Sequence, residues 1–263
     1  MESRVDLRID SGIAEVALNR PEKLNALDFE TFEQLVVIGE RLKQEPGIRA
    51  AVLSGRGRSF SVGIDLSALA GGEAEILSRL DDVSGDAGNF FQRCALQWRT
   101  LPFPVIAAIQ GHALGGGMQI ALGADIRIVA PQAQLSIREV VWGLIPDMAG
   151  TVLLRGLVRE DIARDLLVTG RIIYGTDALS IGLATRLADD PQTAALQLAR
   201  EIASHSPHAV RAAKRVANLG AEGASVGAML AAEADEQKIL ISGGNHSEAL
   251  AAYAAKRPPI FTD

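Results

Sequence analysis

Along the first fifty residues the apolar positions change period. VDLRID (5–10) and IAEVAL (13–18) alternate apolar and polar residues on either side of Ser11-Gly12, which predicts two strands joined by a two-residue hairpin turn. Phe32, Leu35, Val36, Ile38 and Leu42 then recur at helical spacing behind Asp28 and ahead of Pro46-Gly47, predicting an amphipathic helix with Asp28 as its N-cap. AAVLS (50–54), PVIAAIQG (104–111) and IRIVA (126–130) are short apolar runs bounded by glycine or proline, as expected of strands covered on both faces. Residues 71–89, GGEAEILSRLDDVSGDAGN, are small, polar and acidic and read as a mobile or loosely helical insertion near a site entrance. From about Ala149 onward the chain is alanine-rich and reads as almost all helix.

Composition narrows the classes of function. A chain of 263 residues that is 48% hydrophobic has ample material for one large core, alone or with a helical extension. Its formal charge of -6 and pI near 5.3, with no basic run, argue against a nucleic-acid partner. The single cysteine, Cys94, excludes an internal disulfide, and no CxxC or Cys/His cluster points to a metal. The opening MESRVDLRIDSG lacks a secretory pattern, and no apolar run of about 18 residues occurs, so no membrane span and a cytoplasmic location are expected.

Two glycine-bearing turns carry the candidate chemistry. RSFSVGIDL (58–66) leaves one predicted strand and turns at Gly63; GHALGGGMQ (111–119) leaves another and turns at Gly115 to Gly117, with a helix expected from near Met118. Backbone N–H groups at such turns suit a developing oxyanion, although glycine also serves tight strand-to-helix packing. Neither turn has the spacing of a phosphate-binding loop.

RPEKLNAL (20–27), FSVGIDL (60–66), GHALGGGMQIALGADIRI (111–128) and REVVWGLIPDMAGT (138–151) together resemble the crotonase, or enoyl-CoA hydratase/isomerase, superfamily in order and spacing. The resemblance runs from about Val5 to the C-terminal tail. It implies an α/β fold, a crotonase-like spiral of ββα units (1–195) with a C-terminal helical trimerisation region (196–263). It also implies an acyl-CoA thioester substrate, no cofactor beyond the coenzyme A moiety, no metal, and a homotrimer or dimer of trimers. By position, the two amides around the thioester oxygen would be those of Val62 and Gly116. Lys23 is a candidate for a CoA phosphate, and the backbone at Ala26, Gly63, Asp65 and Leu66 would lie near the cofactor portion. KRPPIF (256–261) is apolar and stiff enough to cross onto a neighbour.

Hydratases of this family face the substrate with two glutamates. Glu139 matches the second; the first position is Gln119, which orients a water but has no accessible pKa. Asp147 stands where hydratases usually have glycine. A Glu139–Asp147 pair resembles the subgroup that isomerises dienoyl-CoA, although that subgroup generally has an aspartate at position 119 too. The resemblance therefore favours double-bond isomerisation. Hydration by Glu139 with a water placed by Gln119 is the alternative, and a non-catalytic acyl-CoA-binding subunit a further one. Two structural roles stand beside these: Asp147 as cap of a helix beginning near Ala149, and Glu139 as ion-pair partner of Arg138. His205, His208, His112, Ser61, Ser136 and Cys94 lack completing partners. Trp142 and Phe91 are expected in the core or the acyl-pocket wall.

Overall fold

The computed structural model describes residues 3–69, 72–83 and 88–263. Strands β1 (Val5–Asp10) and β2 (Ile13–Leu18) form the hairpin. Its turn residues Ser11 and Gly12 have φ of 51° and 77°, the two positive angles that a turn matching strand twist requires. Helix α1 (Phe29–Gln44) starts at Asp28, whose Oδ1 accepts from the Thr31 N–H at 2.9 Å. Next come β3 (Ala50–Gly55), α2 (Leu66–Leu69), α3 (Glu73–Asp81), α4 (Phe90–Thr100), β4 (Val105–Ile109) and β5 (His112–Leu114). They are followed by α5 (Gly116–Leu122), β6 (Ile126–Val129), β7 (Gln134–Ser136), α6 (Gly150–Leu154), α7 (Glu160–Thr169) and β8 (Ile173–Tyr174). The chain ends through α8 (Gly175–Ser180), β9 (Arg186–Leu187), α9 (Pro191–Ala203), α10 (Pro207–Ala221), α11 (Val226–Ile241) and α12 (Gly244–Ala254).

Six strands pair in the order β1-β2-β3-β4-β6-β9, all parallel beyond the first hairpin, and β5-β7-β8 make a second sheet. One face of the large sheet packs on α9: Ile13, Val52, Ile106 and Ile128 meet Ala195, Leu198 and Ala199. The other face carries the main core, where Phe32 of α1 and Phe91 and Trp98 of α4 are buried. Coverage on both faces explains why β3 and β4 are unbroken apolar runs.

The structure bears on four expectations. The insertion at 71–89 contains a docked helix, α3: its Ile76 and Leu80 pack on the core, and Arg79 pairs with Glu33 at 2.6 Å. Residues 71 and 84–87 of that stretch lie outside the described residues. The helical C-terminal region holds two strands, β8 and β9, each of two residues and so too short to show a period. The division expected between 195 and 196 falls inside α9, which belongs to the core, so the outer helices begin after Ala203. Finally, the tail is tied to its own chain. The Asn245 side chain bonds both backbone groups of Thr262 at 2.8 and 2.9 Å, and Asp263 pairs with Arg49 and Arg211 at 3.3 and 2.9 Å.

Candidate active site

The two glycine turns meet because the second sheet extends between them. Ser61 bridges Ala113 of β5: the Ser61 N–H donates to His112 O at 2.9 Å and the Leu114 N–H to Ser61 O at 3.0 Å. Gly63, with φ of 88°, then lies so close to the other turn that a Cβ there would sit 2.7 Å from Leu114 O. Each glycine of the triplet has its own reason. Gly115 has φ of 51°, and a Cβ on it would lie 3.3 Å from Glu139 Oε1. A Cβ on Gly116 would meet the Met148 sulfur at 2.9 Å, and one on Gly117 the Ser61 Cβ at 2.6 Å. Helix α5 therefore starts at Gly116, two residues earlier than expected from Met118.

Lys23, Ala26, Val62, Gly63, Ile64, Asp65, Leu66, Leu114, Gly115, Gly116, Arg138, Glu139, Trp142 and Leu144 line a cavity of about 430 Å³. Every expected site residue except Gln119 and Asp147 is on that wall. The Val62 N–H, however, donates to Leu24 O at 3.2 Å. Among residues 62–65 and 114–116 of the two turns, the amides without an acceptor among the described residues are those of Ile64 and Gly116, so the free N–H of the first turn is that of Ile64 and not that of Val62. Pairing of Leu27 with Ile64 sets this: the Leu27 N–H donates to Gly63 O and the Asp65 N–H to Leu27 O, both at 2.8 Å, which leaves the Ile64 N–H outside the ladder, and no residue type in the sequence signals it. Asp65 is structural: its carboxylate accepts from the Ser67 N–H and hydroxyl and from Arg20, and these bonds hold it below the usual carboxylate range. Lys23 and Leu66 are exposed at the rim.

Glu139 opens a single 3-10 turn, Glu139–Trp142, and faces back onto α5. Its partner is neither Arg138 nor a second acid. Gln119, fully buried, donates from Nε2 to Glu139 Oε1 at 2.6 Å, while its Oε1 accepts the N–H groups of Met148 and Gly150 at 3.0 and 2.9 Å. Glu139 Oε2 is buried without a partner among the described residues. Burial pushes the Glu139 carboxyl above its ordinary range; the Gln119 hydrogen bond opposes this, and nearby Asp147 adds to it. Burial raises Asp147 as well. Asp147 caps nothing, because α6 is preceded by Ala149 in a left-handed conformation (φ 63°) with no side-chain cap. Asp147 thus lies near enough to influence Glu139 but off the cavity wall.

The other candidates fall elsewhere. His112 Nδ1 bonds the Ser59 hydroxyl at 2.9 Å and His208 the Asn245 amide at 3.1 Å. The Ser61 hydroxyl donates to Asn25 O, and the Ser136 hydroxyl to Gly170 O. Cys94 is buried, which pushes its thiol far up. Phe91 is in the core, whereas Trp142 is half exposed on the cavity wall.

The architecture has close parallels. An enoyl-CoA hydratase from Bacillus anthracis superposes with a TM-score of 0.90 at 30% identity over 98% of both chains, which gives this chain the crotonase fold. A sequence profile of the enoyl-CoA hydratase/isomerase family matches residues 8–263, and the chain belongs to that family of enzymes. Among its relatives, a putative enoyl-CoA hydratase of Thermus thermophilus is 33% identical over 97% of this chain and 100% of its own length. A 1,2-epoxyphenylacetyl-CoA isomerase of Escherichia coli is 31% identical over 97% of this chain and 96% of its own.

Proposed function

We propose that the enzyme moves a proton on an unsaturated acyl-CoA through a thioester enolate, isomerising a double bond, with no cofactor beyond the coenzyme A of its substrate. The observation that carries this reading is the unpartnered Glu139 Oε2 at a cavity whose wall offers two uncommitted amides, Ile64 and Gly116. A thioester oxygen between those amides has its developing charge stabilised; each fixed donor of this kind is worth about 3 kcal/mol. Glu139 takes the α-proton, the C–H electron pair enters the conjugated enolate, and the proton returns further along the chain. Asp147, itself raised by burial, holds or receives a proton beside Glu139. Lys23, on the cavity rim, takes a CoA phosphate in this reading.

Two features weigh against water addition. That reaction needs a second group to activate water, and Gln119 cannot accept a proton. Its carbonyl oxygen already accepts two N–H groups, so only one amide N–H remains to orient a water. An acyl-CoA binder without chemistry would have no use for an unpaired buried carboxylate oxygen. The test is Glu139→Gln, assayed by α-proton exchange of hexanoyl-CoA in D2O and by conversion of 3-hexenoyl-CoA to 2-hexenoyl-CoA. Both rates should fall by about 10²–10⁴-fold. Parent enzyme that hydrates crotonyl-CoA rapidly and leaves 3-hexenoyl-CoA unchanged would overturn the isomerase reading.

A further inference from the structure

We propose that Gln119 is a positioning residue, a buried amide clamp that joins α5, the Glu139 turn and the 148–150 loop and leaves Glu139 one oxygen free to carry the proton. The inference rests on the reading of Glu139 as proton carrier. Its geometry is complete without substrate. From α5 the one side chain reaches two further segments, the Glu139 carboxylate at 2.6 Å and the Met148 and Gly150 N–H groups at 3.0 and 2.9 Å. Gly150 keeps the approach open, since a Cβ there would sit 2.7 Å from Gln119 Oε1. An amide meets the demand at any pH: one end must accept two N–H groups while the other donates to a carboxylate. An ionised glutamate satisfies the first end and cannot donate at the second. Leucine satisfies neither.

The clamp explains how position 119 serves proton transfer without titrating. Glu139 Oε1 is held by Gln119, which restrains the carboxylate and leaves Oε2 buried and without a partner among the described residues, on a residue that lines the cavity. The same amide fixes the backbone immediately after Asp147, so both carboxyls are referred to one anchor. The charged groups around Glu139 are few. Arg138 precedes it, Asp147 lies on the loop, and α5 brings no charged side chain. On α7, packed against the Glu139 turn, Glu160 pairs with Arg164, Asp161 with Arg159 at 2.9 Å and Asp165 with Arg171 at 2.7 Å.

Two variants separate positioning from mere support. Gln119→Leu loses both ends of the clamp. Exchange of hexanoyl-CoA α-protons should fall by about 10²-fold, as for a catalytic group displaced by about 1 Å, with hexanoyl-CoA affinity little changed and melting lowered by about 4–10 °C. Gln119→Glu keeps the acceptor end and should melt near the parent. Its second oxygen, however, faces Glu139 across the same short distance, where two carboxylates share one proton. The Met148 and Gly150 amides favour charge at 119, so that proton resides on Glu139. The acidic limb of the exchange rate, which reports ionisation of Glu139 as the base, should therefore move up by about one pH unit or more. If Gln119→Glu leaves the pH profile unmoved, or both variants exchange at the parent rate while Glu139→Gln is inactive, the clamp is overturned and the Glu139 reading stands. If Glu139→Gln itself exchanges at the parent rate, the underlying reading fails and the clamp falls with it.

Discussion

At the scale of single residues, the site places two carboxyls where burial disfavours their charge, and this has consequences for both rate and stability. Glu139 and Asp147 each bind a proton more tightly folded than unfolded. For such a group the folded state is favoured at low pH, and that advantage is lost as pH rises from the ordinary carboxylate range through the raised folded value. Asp147→Asn removes one of these charges without removing the side chain. It should melt higher than the parent at pH 8 and show no such gain at pH 4, as read by thermal unfolding at both values. The same variant should lower 3-hexenoyl-CoA isomerisation by about 10²–10⁴-fold with acyl-CoA affinity almost unchanged. An unaltered isomerisation rate would move Asp147 out of the chemistry and leave it only as a charge that tunes Glu139. Motif order in the sequence singles out Glu139, Asp147, Gly116 and Gln119, and the fold brings these four close together: Glu139 and Gly116 line one cavity, Gln119 bonds Glu139 and Asp147 acts on its charge. What Gln119 holds was not legible in the sequence, since its partners Met148 and Gly150 reach it through the backbone, and backbone pairing leaves no residue-type signal. The same blindness hides that the Val62 N–H is committed to Leu24 O whereas the Ile64 N–H has no acceptor among the described residues.

At the scale of elements, the outer helices are fastened to the core by a buried ion pair. Lys214 of α10 reaches under α4, where its ammonium donates to Trp98 O at 3.3 Å, Phe103 O at 2.9 Å and Asp125 Oδ2 at 2.7 Å. Asp125 in turn accepts the Val105 N–H at 2.7 Å, at the first residue of β4. Burial pushes Asp125 up and Lys214 down, their mutual attraction acting the other way in both. Removing one partner leaves a buried charge without compensation, so Lys214→Met should cost about 3–5 kcal/mol. Lys214→Met with Asp125→Asn should recover most of it, because asparagine still accepts from Val105 and carries no charge. Urea denaturation of the parent, single and double variants measures both values, and a single variant as stable as the parent would show the pair to be ornamental. Nothing in the sequence marks this link: Lys214 sits in an alanine-rich amphipathic helix like any solvated lysine. The regular elements were far more readable. The hairpin, α1, β3, β4 and β6 follow from period and punctuation alone, whereas α3 was concealed because its acidic outer face dominates the composition of its segment. A helix that docks by Ile76, Leu80 and one arginine offers little for periodicity to find.

At the scale of the whole molecule, the chain keeps apolar surface that a solitary protein rarely leaves open. Helix α11 has no buried residue, yet Val226, Leu230, Ile239 and Ile241 are 55–74% exposed, and Leu250 and Tyr253 of α12 and Ile260 of the tail add to them. A helix that is apolar on several sides normally lies inside something. The end of the tail is bonded to Asn245, Arg49 and Arg211 of its own chain while Ile260 stays exposed, so whatever covers this region meets preformed helices and an anchored tail. A second and third copy of the same chain fit that need, in line with the resemblance that led to a trimer, and closed symmetry would hide all copies of the surface equally. Sedimentation should therefore give a species of three times 27.8 kDa, or twice that for paired trimers. Leu230→Glu with Ile239→Glu places charges on α11 without touching the cavity, whose lining comes from residues 23–144. The double variant should sediment as a smaller species, and its melting temperature should become lower than the parent's, because assembly stabilises the folded chain by mass action. A parent protein that sediments as a stable monomer with full exchange activity would remove the trimer. A parent trimer undisturbed by the two glutamates would place its interface elsewhere, and the other large exposed apolar run, Val140, Val141, Trp142, Leu144 and Ile145 beside the site, would be the next face to charge.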